Sequence, residues 1–456
     1  MSSYKQIFTI ILLKFIKVSI ILKHIFTNSA GILVSRILGF LRDLLTASIL
    51  GANIYSDIFF VAFKLPNLFR RIFAEGAFTQ VFIPAYAKNN HKVSFSTIIF
   101  LQFLAFIMLL SFIVTIFSSF FTKVIAIGFS QDMVVLASPL VAICFYYLPL
   151  IFVVTFLAAL LQYKNHFTTT AFSTALLNIS LIGSLLLSQN LESSQIVYYM
   201  SWGVVVGGVL QVLVHLYAIR KLNIKFFTTN IKKKKRDIKQ SKFYKQFYPA
   251  VFGSSASHIA AFLDTWLASF LLSGSISYLY YANRVFQLPL ALFAIATSVA
   301  LFPTIAKSIK NNDEKKALQY LRKAFFILLG LLGLATFIGI VFDEFIVYLL
   351  FERGAFESSD TTQTAIVLTM YLVGLLPFGL AKIFSLWLYS HEKQGLAAKI
   401  TMYSLSWNIV LSLVLIKPYG IVGLALASSL SGFVLFHLTL KEFGYAKFIG
   451  LLKNKL

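Results

Sequence analysis

The amino-acid sequence predicts an all-α, polytopic membrane protein of about twelve transmembrane helices, arranged as two parallel six-helix lobes around a central cationic cavity. Three observations lead there. The 456-residue chain is 59% hydrophobic and 12% charged, with a mean hydropathy of +0.83, whereas soluble domains carry about 25% charge. Its apolar runs recur at lengths near the ~20 residues that a spanning helix needs. A set of glycine, proline and lysine positions near the start of the chain returns in its second half.

The runs fall near 25–50, 55–88, 95–122, 133–162, 168–188, 195–219, 247–272, 275–307, 318–347, 361–390, 396–416 and 419–440. Gaps between them alternate in lysine and arginine content, and the loops rich in these residues are cytoplasmic. Arg220 to Lys245 is the most basic gap; Lys88 to Lys92, Lys164, Lys307 to Lys323, Lys393 to Lys399 and the tail fall on the same side. Ser188 to Gln195 and the acidic stretch Asp343 to Asp360 lie opposite. Both termini are therefore expected in the cytoplasm.

This parity divides the chain into a basic amphipathic extension (1–24), an N-lobe (25–219), a basic cytoplasmic linker (220–246), a C-lobe (247–445) and a basic tail (446–456). Lys5, Lys14, Lys17 and Lys23 interrupt the extension every few residues, which suits an interfacial helix or a dispensable addition from an upstream start. No small-residue cleavage site closes it, so it does not read as a signal peptide. The run Lys232 to Arg236 resembles a nuclear or anionic-lipid signal in composition, but its place between the halves makes it a solvated linker. The net charge of +24 comes without a basic domain interleaved with aromatics, so no nucleic-acid partner is expected. Cys144 is the only cysteine, which excludes an intrachain disulfide and a cysteine zinc site.

Gly51, Leu65-Pro66, Pro84 and Ala87-Lys88 correspond to Gly274, Leu288-Pro289, Pro303 and Ala306-Lys307. Six spans separate the copies, an even number, so both halves enter the membrane in the same direction. Pro66 and Pro289 fall within spans, where a missing donor and a ring clash kink the helix; a bent helix lining a cavity accommodates this.

Charge inside these spans points to chemistry. A cation at mid-membrane costs roughly 2.5–3.5 kcal/mol on insertion scales, so Arg36, Arg42, Lys64, Arg70 and Arg71 imply a wet interior and an anion to hold. Arg36 and Arg42 are separated by about 240° on an ideal helix, and a bend at Gly39 is expected to turn both toward one cavity. Asp57, Lys64 and Arg71 form a seven-residue stripe, and Arg70, Arg71 and Glu75 allow pairs within the helix. In the second half Asp264 and Arg284 stand out, with His258 read as a satisfied polar residue. Arginine suits a diphosphate because its planar fork bonds phosphate oxygens bidentately and stays charged when buried.

The run Asn28-Ser29-Ala30-Gly31 through Ser35-Arg36, Gly39-Phe40 and Arg42-Asp43, then Asp57 through Phe78, resembles the signature of the MurJ (MviN) lipid II flippases. So do Asp264 through Arg284 and Phe351-Glu352-Arg353-Gly354-Ala355-Phe356. The resemblance covers residues 25 to 445. It implies a transporter, not an enzyme, of the multidrug/oligosaccharidyl-lipid/polysaccharide exporter superfamily. Such a protein moves undecaprenyl-pyrophosphate-linked disaccharide-pentapeptide between leaflets of the inner membrane by alternating access, for peptidoglycan synthesis and cell shape. It also implies Arg36, Arg42, Asp57, Lys64, Arg70 and Arg284 as substrate-binding residues, taking Arg70 where the stripe takes Arg71. A monomer is expected. Some members bind sodium through an acid matching Asp264, an asparagine and a second acid; here Asn408 is the partner, and its span carries no acid. Members commonly have fourteen spans, the last two forming a groove for the lipid tail, so the resemblance leaves this chain's tail route unassigned.

Two other classes compete with that expectation. One is an exporter of another lipid-linked oligosaccharide or a drug, although a cationic drug would be repelled by the arginines. The other is an integral-membrane enzyme acting on polyprenyl phosphates, which would need clustered acids or a histidine pair; Asp343-Glu344 has no such partner in its loop.

Overall fold

The structure, a computed structural model, describes residues 30–70, 78–228 and 240–453. The predicted extension 1–24, Arg71 with Glu75, the run Lys232 to Arg236 and the last residues of the predicted tail lie outside the described residues, as does the side chain of His258. Among the described residues every regular element is helical. Contacts group the chain into two compact units, and the described residues of each are taken in turn.

The first unit draws on Met1–Leu45, Leu65–Ser118 and Pro139–Val251. It contains most of α1 (30–50), the end of α2 (Ile54–Phe69), α3 (Phe78–Lys88), α4 (Lys92–Ile116) and the end of α6 (Gln131–Phe145). With them are α7 (Tyr147–Tyr163), α8 (Thr168–Ser188), α9 (Ser193–Lys221) and the first part of α10 (Gln240–Ala268). Lipid tails are as apolar as leucine, so such helices associate through shape and close packing. Gly203 and Gly207, one turn apart on α9, provide it: a Cβ on them would come within 2.6 Å of Ser184 Oγ and 2.8 Å of Leu177 Cδ1 on α8. The Ser180 hydroxyl donates to the Gly203 carbonyl at 2.7 Å across that seam. Elsewhere phenylalanines interlock: Phe78, fully buried, has its ring centre 5.1 Å from Phe82, 5.6 Å from Phe103 and 5.8 Å from Phe152. Each such pair adds about 0.5–1.5 kcal/mol beyond burial.

The second unit draws on Thr46–Lys64, Ser119–Ser138 and Phe252–Leu456. It holds the end of α1, the body of α2, α5 (Ser118–Ile125) from Ser119, the start of α6 and the rest of α10. Then follow α11 (Ser275–Pro289), a π-helical turn (Leu290–Ile295), α12 (Ala296–Lys310), α13 (Glu314–Val341) and α14 (Asp343–Phe351). The chain continues as α15 (Ser358–Val373), α16 (Leu375–Ser390), α17 (Gln394–Phe443) and α18 (Tyr445–Leu452). Segments from the first half belong here because hydrogen bonds tie them in. Ser48 O accepts from Ala355 N at 2.7 Å, Trp266 Nε1 donates to Val124 O at 3.2 Å, and Gly128 N donates to Ser269 Oγ at 3.0 Å. Gly354 sits at φ 60°, and a Cβ there would lie 2.2 Å from Ser48 O, so only glycine closes that loop.

Among the described residues eight helices are long and apolar enough to cross a membrane. One, Gln394–Phe443, is broken at Gly420 (φ 53°, ψ −128°) and covers two predicted spans. The predicted spans missing from the eight are the first, the second, which residues 71–77 interrupt, and the seventh, whose Ser254, Ser255, Ser257 and Asp264 dilute its hydropathy. Proline acts as expected in the second copy of the repeat: α11 ends at Pro289 and widens into the π turn. In the first copy Pro66 lies inside α2, and the backbone at Arg70 is likewise π-helical. Such wide turns re-house carbonyls that have lost a donor.

Candidate functional site

In the first unit, α1 runs as continuous helix through Gly39. The glycine serves close approach: a Cβ there would meet Asn178 Nδ2 at 3.4 Å, and that amide donates to Ser35 O at 3.0 Å. With the helix intact, Arg36 and Arg42 occupy different faces. Arg36 is exposed, whereas Arg42 is 9% exposed and held on several sides. Its Nε and Nη2 donate to Asp43 Oδ1 at 3.0 and 2.6 Å, and Nη1 donates to Asn178 Oδ1 at 3.1 Å. Arg36 and Arg42 thus differ in their surroundings, one exposed and the other enclosed by polar partners. Arg70 is half-buried and donates from Nε to Asn67 Oδ1 at 3.1 Å.

In the second unit Asp57 is 2% exposed. Its Oδ2 accepts from Gly274 N at 2.7 Å, and its Oδ1 accepts from Ser277 N at 2.8 Å and Ser277 Oγ at 2.6 Å. Asp57 is thus the cap of α11, supplying the acceptor that the first amides of a helix lack. In this conformation both of its carboxylate oxygens are occupied by the start of α11. Around it Tyr278 OH donates to Asp360 at 2.9 Å and Tyr281 OH to Gly51 O at 3.4 Å. The loops before α2, before α11 and before α15 are knitted together.

Arg284, on α11, donates from Nη2 to Tyr280 OH at 2.8 Å, with its guanidinium 4.9 Å from the Tyr280 ring centre. That ring stacks on Phe60 at 4.0 Å. Lys64, half-buried, interacts electrostatically with Asp264. Asp264 is hydrogen-bonded to Ser428, whose hydroxyl also accepts from Asn408 Nδ2 at 3.2 Å. The structure thus brings Asp264 and Asn408 together through a serine that the sequence reading missed. Asp264 Oδ1 and Ser412 Oγ are buried without a hydrogen-bond partner, and Ser412 lies one turn from Asn408 on the same helix face. No cluster of three or more His, Cys, Asp or Glu side chains occurs among the described residues.

Asp43, Asn178, Tyr280 and Ser428 are the partners that sequence reasoning did not single out. For Asn178 a signal existed, an amide inside an otherwise apolar span. Tyr280 carried none, because tyrosine is common in such helices.

Comparison with known proteins bears on all of this. A family model described as "Lipid II flippase MurJ" matches residues 46–455. Proteins named "Probable lipid II flippase MurJ" from two Helicobacter pylori strains are 50% and 51% identical, each alignment covering 90% of this chain and 92% of the relative. A solved structure titled "Lipid II flippase MurJ, inward closed conformation" matches with a TM-score of 0.81 at 27% identity, over 93% of this chain and 89% of the other. An inward-facing multidrug resistance MATE family transporter of the MOP superfamily shares the fold, with a TM-score of 0.67 at 13% identity over 92% and 96% of the two chains. On a family match that spans nearly the whole described chain and relatives at half identity, this chain belongs to the MurJ lipid II flippase family.

Proposed function

We propose that this chain moves lipid II, the undecaprenyl-pyrophosphate-linked peptidoglycan precursor, from the cytoplasmic to the periplasmic leaflet of the inner membrane by alternating access. It acts as a transporter, as a monomer, with both termini in the cytoplasm. The observation that carries this reading is that guanidinium groups persist on three helices of an otherwise apolar chain, each oriented by a polar neighbour: Arg42 by Asp43 and Asn178, Arg70 by Asn67, Arg284 by Tyr280. Such placement preorganises charge for phosphate oxygens, and arginine cannot shed its proton to escape burial. Lys64 and the exposed Arg36 carry further positive charge within the spans. The Asp43 carboxylate keeps Arg42 compensated when the headgroup is elsewhere, and a diphosphate of higher charge competes for the same donors.

The donor set at Asp264 suits sodium. The carboxylate, the Asn408 side chain and the Ser428 hydroxyl are hard oxygen donors of the kind alkali and alkaline-earth cations prefer, and the orphaned Asp264 Oδ1 is an acceptor in need of a partner. A cation bound there would compensate the Asp264 charge in place of Lys64, releasing that lysine.

Complementation tests the whole. In a bacterium depleted of its own flippase, this chain restores lipid II to the outer leaflet and supports wall growth, while Arg42→Ala and Arg284→Ala, stably inserted, do not. Wall growth with both alanine variants, or rescue without lipid II movement, overturns the proposal.

A further inference from the structure

Inside the first unit lies a pocket of about 550 Å³, lined by residues of α4, α7, α10 and the end of α2. Its size falls within the roughly 300–1,000 Å³ of cavities that enclose one small molecule or part of a chain. Its wall is graded. α4 and α10 begin, and α7 ends, at loops that the lysine pattern assigns to the cytoplasm, so depth can be read along each helix. Gln102, Tyr244 and Thr155 sit nearer that side, and Leu110, Val251 and Leu148 sit deeper. From Gln102 to Leu110 the change takes about 12 Å at 1.5 Å per residue. Polar groups at the shallow end satisfy one another, with Tyr244 OH donating to Gln102 Oε1 at 2.8 Å and Thr155 Oγ1 donating to Ile151 O at 2.8 Å. Among the described residues Arg70 contributes the one charged side chain to the lining. Phe106 and Tyr248, 62% and 60% exposed, leave the pocket open at its rim.

A slot that is apolar at depth, polar toward the cytoplasm, cationic in its wall and open at its rim fits a single-chain amphiphile with an anionic head. Its rings, Phe69, Phe103, Phe106 and Phe152 among them, offer flat faces to the planar double bonds of an isoprenoid. We propose that this pocket seats the hydrocarbon chain of a polyprenyl diphosphate entering from the cytoplasmic leaflet, with Arg70 engaging the phosphate. The inference rests on the lipid II reading for its ligand class and assigns that lipid's tail a place on α4, α7 and α10.

The test uses the full chain in phosphatidylcholine nanodiscs with two photoreactive probes, a diazirine-bearing polyprenyl diphosphate and a diazirine-bearing phosphatidylglycerol. The prenyl probe labels peptides of α4 and of α10 before Val251, unlabelled polyprenyl diphosphate competes, and phosphatidylglycerol competes about tenfold less well. Filling the slot by Leu110→Trp, or from another wall by Leu148→Trp, cuts labelling about tenfold, whereas Leu109→Trp, on the exposed face of α4, leaves it unchanged. Labelling absent from these peptides, equal competition by phosphatidylglycerol, or undiminished labelling of both slot-filling variants overturns the proposal. Lipid II movement by the same preparation in vesicles is scored separately. Transport without pocket labelling sinks the tail site and spares the flippase, and pocket labelling without transport does the reverse.

Discussion

Asp57 caps a helix that begins more than two hundred residues later, accepting hydrogen bonds from Ser277 N at 2.8 Å and Ser277 Oγ at 2.6 Å. The internal repeat makes this informative. The first copy caps its own helix: Asn53 Oδ1 accepts from Tyr55 N at 2.9 Å and Ser56 N at 3.3 Å. The second copy has Gly274 before α11 and no side-chain cap of its own. Its start is completed by a carboxylate from the first copy, positive helix end against negative charge. The cap and the loops around it all lie within the second unit.

Asp57→Ala removes the cap. It is expected to cost about 1–2 kcal/mol and to loosen the knitted loops, so that a cysteine at Ala52, buried in the parent, becomes reactive toward a water-soluble maleimide. Asp57→Asn, which still accepts at Ser277, restores most of the protection. Equal reactivity in all three proteins disproves the latch.

Asp43 and Asn178 hold Arg42. Asp43→Ala strands a buried guanidinium and is expected to cost about 3–5 kcal/mol, read as a lower thermal midpoint in detergent. Asn178→Leu loses one acceptor and costs about 1–3 kcal/mol. A double-mutant cycle with Arg42→Ala returns much of the Asp43→Ala loss, since the stranded charge is then gone; an additive result contradicts the pairing.

Tyr280 orients Arg284 by ring and hydroxyl together. Tyr280→Phe keeps the cation–π face and loses only the 2.8 Å hydrogen bond, a loss of about 0.5–1.5 kcal/mol, or 2- to 12-fold in affinity for lipid II. Arg284→Lys keeps the charge but not the fork and weakens binding more. The order of the two losses, measured by titration with lipid II, checks the assignment.

Sodium at Asp264 is expected to raise the thermal midpoint where equal potassium does not, by up to about 2.7 kcal/mol of stabilisation at a hundredfold excess over its dissociation constant. Asp264→Asn and Asn408→Leu abolish the difference. A sodium shift that survives Asp264→Asn places the ion elsewhere.

Much of the fold was legible because hydrocarbon leaves a backbone few choices. Runs such as 168–188 and 195–219 reappear as α8 and α9 within two residues, and Pro289 ends α11 where its spacing from Gly274 had marked a distortion. The candidate residues were legible in the sequence, but their partners were not. Periodicity placed Arg36 and Arg42 about 240° apart on an ideal helix, and the structure finds the first exposed and the second buried. The sequence marks Gly39 as a point of bending; its missing side chain also admits Asn178 from another helix.

By itself the sequence determined that this protein spans a membrane many times, and it marked a repeated pattern of glycine, proline and lysine and the charges within its spans, because unpaired backbone polar groups and stray charges are too costly in lipid to be accidental. Tertiary structure alone decided what each charge does. A carboxylate within a span looks the same whether it meets a phosphate, a cation or the start of another helix, and its partner, 217 residues away for Asp57 and Gly274 or 136 for Arg42 and Asn178, is set by packing and leaves no trace in local spacing.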